Sequence, residues 1–253
     1  MLHRRIEITT RVTGPQAAEA RAVVEDDFHH FRVTVRQRNG RVSEAFSQAP
    51  RQPTTLCAAA GARLIDIIGM PLSAASAAVM AVTDARQQCT HQIDLAGLAV
   101  AALATRRPRR VYEAAVPDRV DGRTRASLKR DGEAVLVWDV EGSQILGPGV
   151  YAGRGIGAGF TSFARERLSL DEAEAALVLR RAVFISSGRG IDLDAPSRTT
   201  GPIGGCWVWQ PEQAEGRRRV VGSTLDFTDR PEHLARDDQD WLGFVSPRPG
   251  HCA

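Results

Sequence analysis

FRVTVRQRNGRV, residues 31–42, alternates apolar and polar side chains and closes on Asn39-Gly40. Phe31, Val33 and Val35 share one face of an extended chain, and Arg32, Thr34 and Arg36 share the other. That is the pattern of a strand with one buried face. Asn-Gly favours the positive φ values of a two-residue hairpin turn, so residues 41–48 are expected to return as the partner strand. Upstream, residues 4–12 alternate well enough for an earlier strand. Residues 16–26, rich in Ala, Glu and Arg, are expected to form a short helix between the two strands.

Downstream, residues 58–68 and 73–82 read as short helices, with Gly69 and Pro71 ending the first. Residues 89–104, CTHQIDLAGLAVAALA, form the clearest apolar helix, with Thr90 as the expected N-cap. The arginine run at 106–110, broken by Pro108, marks a boundary. Beyond it, residues 112–116, 124–130 and 133–140 read as a meander turning at Asp131-Gly132 and Glu141-Gly142. Ser169 and Glu172 form a capping box before a helix carrying Leu170, Ala173, Ala176, Leu177 and Phe184 at helical spacing. Residues 203–210 and 217–227 read as two further strands, and 247–253 as a loose tail. No internal repeat is visible. The expected class is α+β. Residues 1–106 should form a small antiparallel sheet with packed helices. Residues 107–246 should form a second meander with one long helix, closing over the first half.

With 253 residues and 43% hydrophobic content, the chain is long enough to bury a sizeable core. The net charge is only +3, and arginine clusters are interleaved with acids. This lacks the dense basic face with stacking aromatics of a nucleic-acid binder. No apolar run of about 18 residues predicts a membrane span. The amino terminus has early positive charge without an apolar signal core, so a cytoplasmic location is the default expectation. Four widely spaced cysteines read as thiols or ligands rather than a disulfide framework.

The chemistry-bearing residues begin at EDDFHHFRVTV, residues 25–35. Three carboxylates, a phenylalanine and two histidines stand directly before the strand. His29 and His30 should point to opposite faces, so one of them enters a shared site with Asp27. Cys57 stands at a loop-to-helix junction, and Cys89 opens the apolar helix with His91 two residues on. Helix N-termini depress thiol pKa, so both thiols are expected to be partly ionised. Asp or His with two Cys is a donor set suited to zinc or iron. Buried apolar cysteines and a hydrogen-bonded histidine are the alternative. The glycine-rich 153–159 segment lacks the strand, crossover and acidic residue of a dinucleotide loop. It reads as a pocket border with Arg154 facing an anion, or as a plain connector. Arg189 in SSGRGIDLD is a candidate carboxylate or phosphate binder, with an internal salt bridge as the alternative. The alternating Trp207 and Trp209 of GGCWVWQ suit a pocket wall or core packing. Neither a nucleophile elbow nor a Walker loop is present.

The words EDDFHHFRVTV, TTLC, ARQQCTHQIDLAGLA, GRGIGAGF and LRRAVFISSGRGIDLD together look like the bacterial family catalogued as domain of unknown function 2889. That resemblance spans almost the whole chain and carries no settled activity. It points to bacteria rich in catabolic enzymes. The first half also resembles U-type iron–sulfur scaffold proteins. It shares a ligand cluster before a strand, a hairpin, a cysteine opening a helix, and an R-x-x-C opening the last helix, here Arg86 to Cys89. This resemblance implies a mononuclear metal site from Asp27 or His30 with Cys57 and Cys89. Histidine stands where those scaffolds have their first cysteine, and the second half has no counterpart in them.

The combined expectation is a metal-assisted enzyme of small-molecule catabolism, acting on aromatic or acyl-derived compounds as a lyase, hydratase or hydrolase. One divalent zinc or iron would be held by His30, Cys57 and Cys89. Asp27, His29 and His91 would move protons, and Arg154 and Arg189 would bind the substrate or a cofactor. The expected partner is a small-molecule substrate, with no nucleic acid or membrane, and an oligomer is compatible. A carrier with a structural or trafficked metal is the first alternative. A cysteine-nucleophile enzyme without metal is the second.

Overall fold

Asn39 and Gly40 take φ values of 53° and 73°. They join strand β3 (His30–Arg38) to β4 (Arg41–Arg51), as the Asn-Gly signal requires. The computed structural model describes residues 1–195 and 205–245. Ahead of the hairpin lie β1 (Leu2–Gly14) and β2 (Ala17–Asp26). After it come helix α1 (Thr90–Ala104), β5 (Arg109–Val116), β6 (Arg123–Arg130) and β7 (Glu133–Glu141). The short β8 (Gln144–Gly147) and β9 (Arg154–Gly155) precede α2 (Phe160–Arg167) and α3 (Leu170–Ser186). A final turn of helix, α4, spans Gln239–Leu242.

Among the described residues, all nine strands belong to one antiparallel sheet in the order β4-β3-β2-β1-β5-β6-β7-β8-β9. This overturns the expected class of a small helix-packed sheet followed by a separate meander with one long helix. The helices are few, and the longest has 17 residues. The joint is the ladder from Leu2↔Val116 to Thr9↔Arg109, which zips β1 to β5 across the expected boundary. Residues 16–26 are β2 rather than a helix. Hydrogen bonding to β1 and β3 on both sides overrides their helical composition. The expected helices at 58–68 and 73–82 are 3₁₀ turns, Ala59–Ile67 and Ser76–Ala81. The expected strand at 217–227 reduces to a single bridge between Thr54 and Arg219. Trp207–Trp209 is a 3₁₀ turn, while residues 203–204 of that expected strand lie outside the described residues. The 247–253 tail also lies outside them. Among the described residues, no helix is long and apolar enough to cross a membrane.

The topology contains a repeat that the residues do not show. A meander runs outward from β1 to β4 and is followed by α1; a second runs outward from β5 and is followed by α3. Cross-strand partners such as Ile6 and Tyr112 put the inward side chains of both meanders on the same face. There α1 packs on β1, β2 and β3, and α3 packs on β5, β6 and β7. The opposite face of the first meander is covered by the C-terminal segment, where Val23 packs with Ala235 and Leu242. α1 lies close to the 76–81 turn: a Cβ on Gly97 would sit 2.2 Å from the Ser76 carbonyl oxygen. Gly97→Ala is therefore expected to lose about 1–3 kcal/mol despite alanine's better helix propensity. Urea unfolding measures it, and an unchanged midpoint would mean that the turn yields freely.

Candidate functional site

Between α1 and α3, above β1, the described residues line a solvent-connected cavity of about 990 Å³. It is large enough for a drug-sized molecule. Its walls are mainly apolar, with Ile6, Leu95, Leu98, Val178, Ile191 and Trp209 among them. Polar groups gather where β1, the β2–β3 turn and the start of α1 meet.

Arg4 and Asp26 are direct cross-strand partners on β1 and β2, and both are buried. Their side chains form an ion pair facing the helices. Asp26 Oδ1 also accepts the backbone N–H groups of Phe28 and His29 and the His29 ring Nδ1, each at 2.9 Å. One carboxylate thus shapes the turn, in the manner of an Asx turn, and orients the imidazole. Burial alone would raise the Asp26 carboxyl. The charges of His29 and Arg4 and the hydrogen bonds hold it well below the usual carboxylate range. The Asp26 contact at Nδ1 fixes the orientation of the His29 ring.

His29 stacks on His91, in the first turn of α1, with ring centroids 3.9 Å apart. Burial, then the charges of His29, Arg4 and Arg181, lower the His91 pKa far enough to keep this ring neutral. His91 Nε2 and Arg4 Nε are buried without a hydrogen-bond partner. Arg181 on α3 reaches Asp94 on α1 at 2.8 Å, tying the helices together across the cavity. Its neighbour Arg180 donates to the carbonyl oxygens of Ile156 and Gly157.

The predicted site residues divide. His29, His91, Cys57 and Cys89 all line the cavity. His30 faces the other side of the sheet, where its Nε2 lies 2.9 Å from Asp238. It therefore does not meet the two cysteines, and the expected His30, Cys57 and Cys89 set is not assembled. Asp27 and Arg189, expected to serve acid–base and anion-binding roles, pair with each other. Arg189 also holds Asp118 at 2.7 Å, so the anions it binds belong to this chain. Burial pushes the Asp27 carboxyl up to about 6 against the pull of Arg189. Arg154 lies over the Phe163 ring at 4.6 Å, away from the cavity lining.

The thiols behave as the reverse of the expected helix-N-terminus effect. Burial raises Cys57 and, more strongly, Cys89, although the backbone N–H groups of Gln92 and His91 pull Cys89 back. Both are neutral thiols near pH 7. The expected result is slow alkylation of both in the native protein and fast alkylation after denaturation. Mass spectrometry of the labelled protein reads this directly. Rapid native labelling of Cys89 would restore the nucleophile reading.

Among the described residues, two groups bring three metal-type donors together: Asp26, His29 and His91, and Glu25, His30 and Asp238. In the first, Asp26 is already committed to Arg4, His29 and two backbone donors, and a cation would sit beside a buried guanidinium. In the second, Asp238 takes His30 and Arg32, while Glu25 accepts the Ala235 N–H at 2.7 Å and Arg51 at 3.2 Å. That second cluster locks the C-terminal segment onto the sheet. Both donor sets fit internal hydrogen bonding better than a divalent ion.

Sequence reading missed Arg4, Asp26, Arg180 and Arg181. For Arg4 a signal was available: period two places it on the same face as Leu2, Ile6 and Ile8, so it is a charge in a buried register. The helix-covered face of the nine-stranded sheet thus borders a large, partly cationic cavity. Comparison with family models, curated proteins and solved structures returns no match.

Proposed function

We propose that this protein is an enzyme of small-molecule metabolism in which His29, oriented by Asp26, transfers a proton to or from an apolar substrate held in the cavity. The observation that carries the reading is His29, held by Asp26, on the lining of a large, mainly apolar cavity. A carboxylate on Nδ1 sets the tautomer and strengthens Nε2 as a base. Exclusion of water would sharpen the electrostatics around that nitrogen. Lyase, hydratase and hydrolase chemistry all use such a base. In this reading a proton relay replaces the metal, because the available carboxylates are already bound by the protein's own cations.

The test is a panel of small apolar esters, acyl thioesters and hydroxy acids, followed by mass spectrometry for product formation and solvent-deuterium uptake. Wild type and His29→Gln are compared. Turnover that survives His29→Gln unchanged would remove His29 from the chemistry. The alternative of a non-catalytic carrier gains if ligands bind and none is converted.

A further inference from the structure

The cavity carries an electrostatic imbalance. Arg4 is matched by Asp26, and Arg181 by Asp94. Arg180, also in the lining, donates to two carbonyl oxygens and lies over the Phe160 ring, with no carboxylate in salt-bridge range among the described residues. Glu174, the other acid in the lining, is taken by the Tyr112 hydroxyl and flanked by Arg107 and Arg110. The Arg180 guanidinium therefore borders the chamber with no ion-paired carboxylate of its own. Two further nitrogens, Arg4 Nε and His91 Nε2, are buried on the same lining with nothing to bond. Arg4 is 2% exposed and His91 7%. Leaving such groups unpaired costs free energy, so their persistence beside a chamber points to a ligand that satisfies them. The α1 N-terminus adds its positive end, since Cys89, Thr90 and His91 all line the cavity.

We infer that this end of the cavity is a seat for the carboxylate of an apolar organic acid. Arg180 supplies the counter-charge, and Arg4 Nε and His91 Nε2 supply hydrogen-bonding nitrogens. The acid's hydrocarbon body lies along Ile6, Leu95, Leu98 and Val178. A monoanion needs one such counter-charge. A phosphate monoester, nearly twice as charged, would cost more to desolvate against mainly apolar walls. The inference rests on the proposal that this cavity is the substrate site, and it extends that proposal by giving the class of substrate. It does not depend on His29 turning the ligand over.

Calorimetric titration with hydrocinnamate and its neutral primary amide tests the seat. The acid is expected to bind wild type about tenfold or more tightly than the amide, the worth of a charge-assisted contact. Arg180→Met should abolish that preference, and His91→Phe, which keeps a ring against His29, should reduce it. His29→Gln should leave it intact. Circular dichroism and thermal unfolding establish that each variant is folded. Arg180 is only partly buried, so its variant keeps the test open if His91→Phe does not fold. Equal binding of acid and amide, no binding of either, or an undiminished preference in Arg180→Met would each overturn the inference. If the acid binds as expected but the substrate panel shows no turnover, the seat stands and the enzymatic reading falls.

Discussion

Asp26→Ala is expected to lower folding stability by about 3–5 kcal/mol, a large fraction of what a domain possesses. The carboxylate is fully buried and receives Arg4, the His29 ring and the N–H groups of Phe28 and His29. Truncation leaves a guanidinium and several donors without partners in a chamber with mainly apolar walls. Asp26→Asn, which keeps the size and part of the bonding, should cost less. Arg4→Met in the Asp26→Ala background should recover part of the loss, because it removes the stranded charge. The pH dependence has a definite sign. The folded-state pKa lies well below the unfolded value of about 4. The contribution of Asp26 is therefore complete above about pH 4 and is lost as pH falls through the folded value. Urea unfolding of wild type and the variants at neutral pH, repeated under acid conditions, measures all of this. A loss below about 1 kcal/mol would mean that water replaces the carboxylate at Arg4.

His29→Gln is expected to reduce turnover by about 10²–10⁴-fold, the usual contribution of a positioned acid–base group. Glutamine retains polarity and much of the volume but cannot relay a proton. The stability cost should stay near ~1 kcal/mol, since one hydrogen bond to Asp26 is altered while the backbone bonds of the turn remain. This separation makes the variant informative: a large kinetic effect with little unfolding locates the chemistry at the ring. Asp26→Asn should also slow turnover, through the loss of Nδ1 orientation. Turnover unchanged in Asp26→Asn would show that the carboxylate serves the fold alone.

The site was partly legible. Residues 25–35 and 89–91 concentrate the imidazoles and a thiol, and the fold does bring His29, His91, Cys57 and Cys89 to one cavity. Their roles were not legible. Thiol ionisation depends on burial, and burial wins over the helix terminus at Cys89. The choice between Asp26 and Asp27 depends on the turn that bends between them. Asp26 points to the helices with Arg4, whereas Asp27 reaches Arg189 beyond α3 and the Phe227 N–H. Arg180, which lines the cavity without an ion-paired carboxylate, looks in sequence like any polar residue of an amphipathic helix.

The chain's own local chemistry determined the elements that rest on short-range rules. The Asn39-Gly40 turn, the alternating β3, the Ser169–Glu172 capping box and the apolar α1 all depend on neighbours within a few residues. The same is true of the divergence of His29 and His30, since consecutive side chains of an extended segment alternate. Tertiary structure alone decided that residues 17–26 are a strand, because two flanking ladders outweigh helical propensity there. It alone joined the two meanders through β1 and β5. And it alone decided which histidine faces the chamber: alternation separates the rings, but only the helices packed on one face of the sheet make that face the inside.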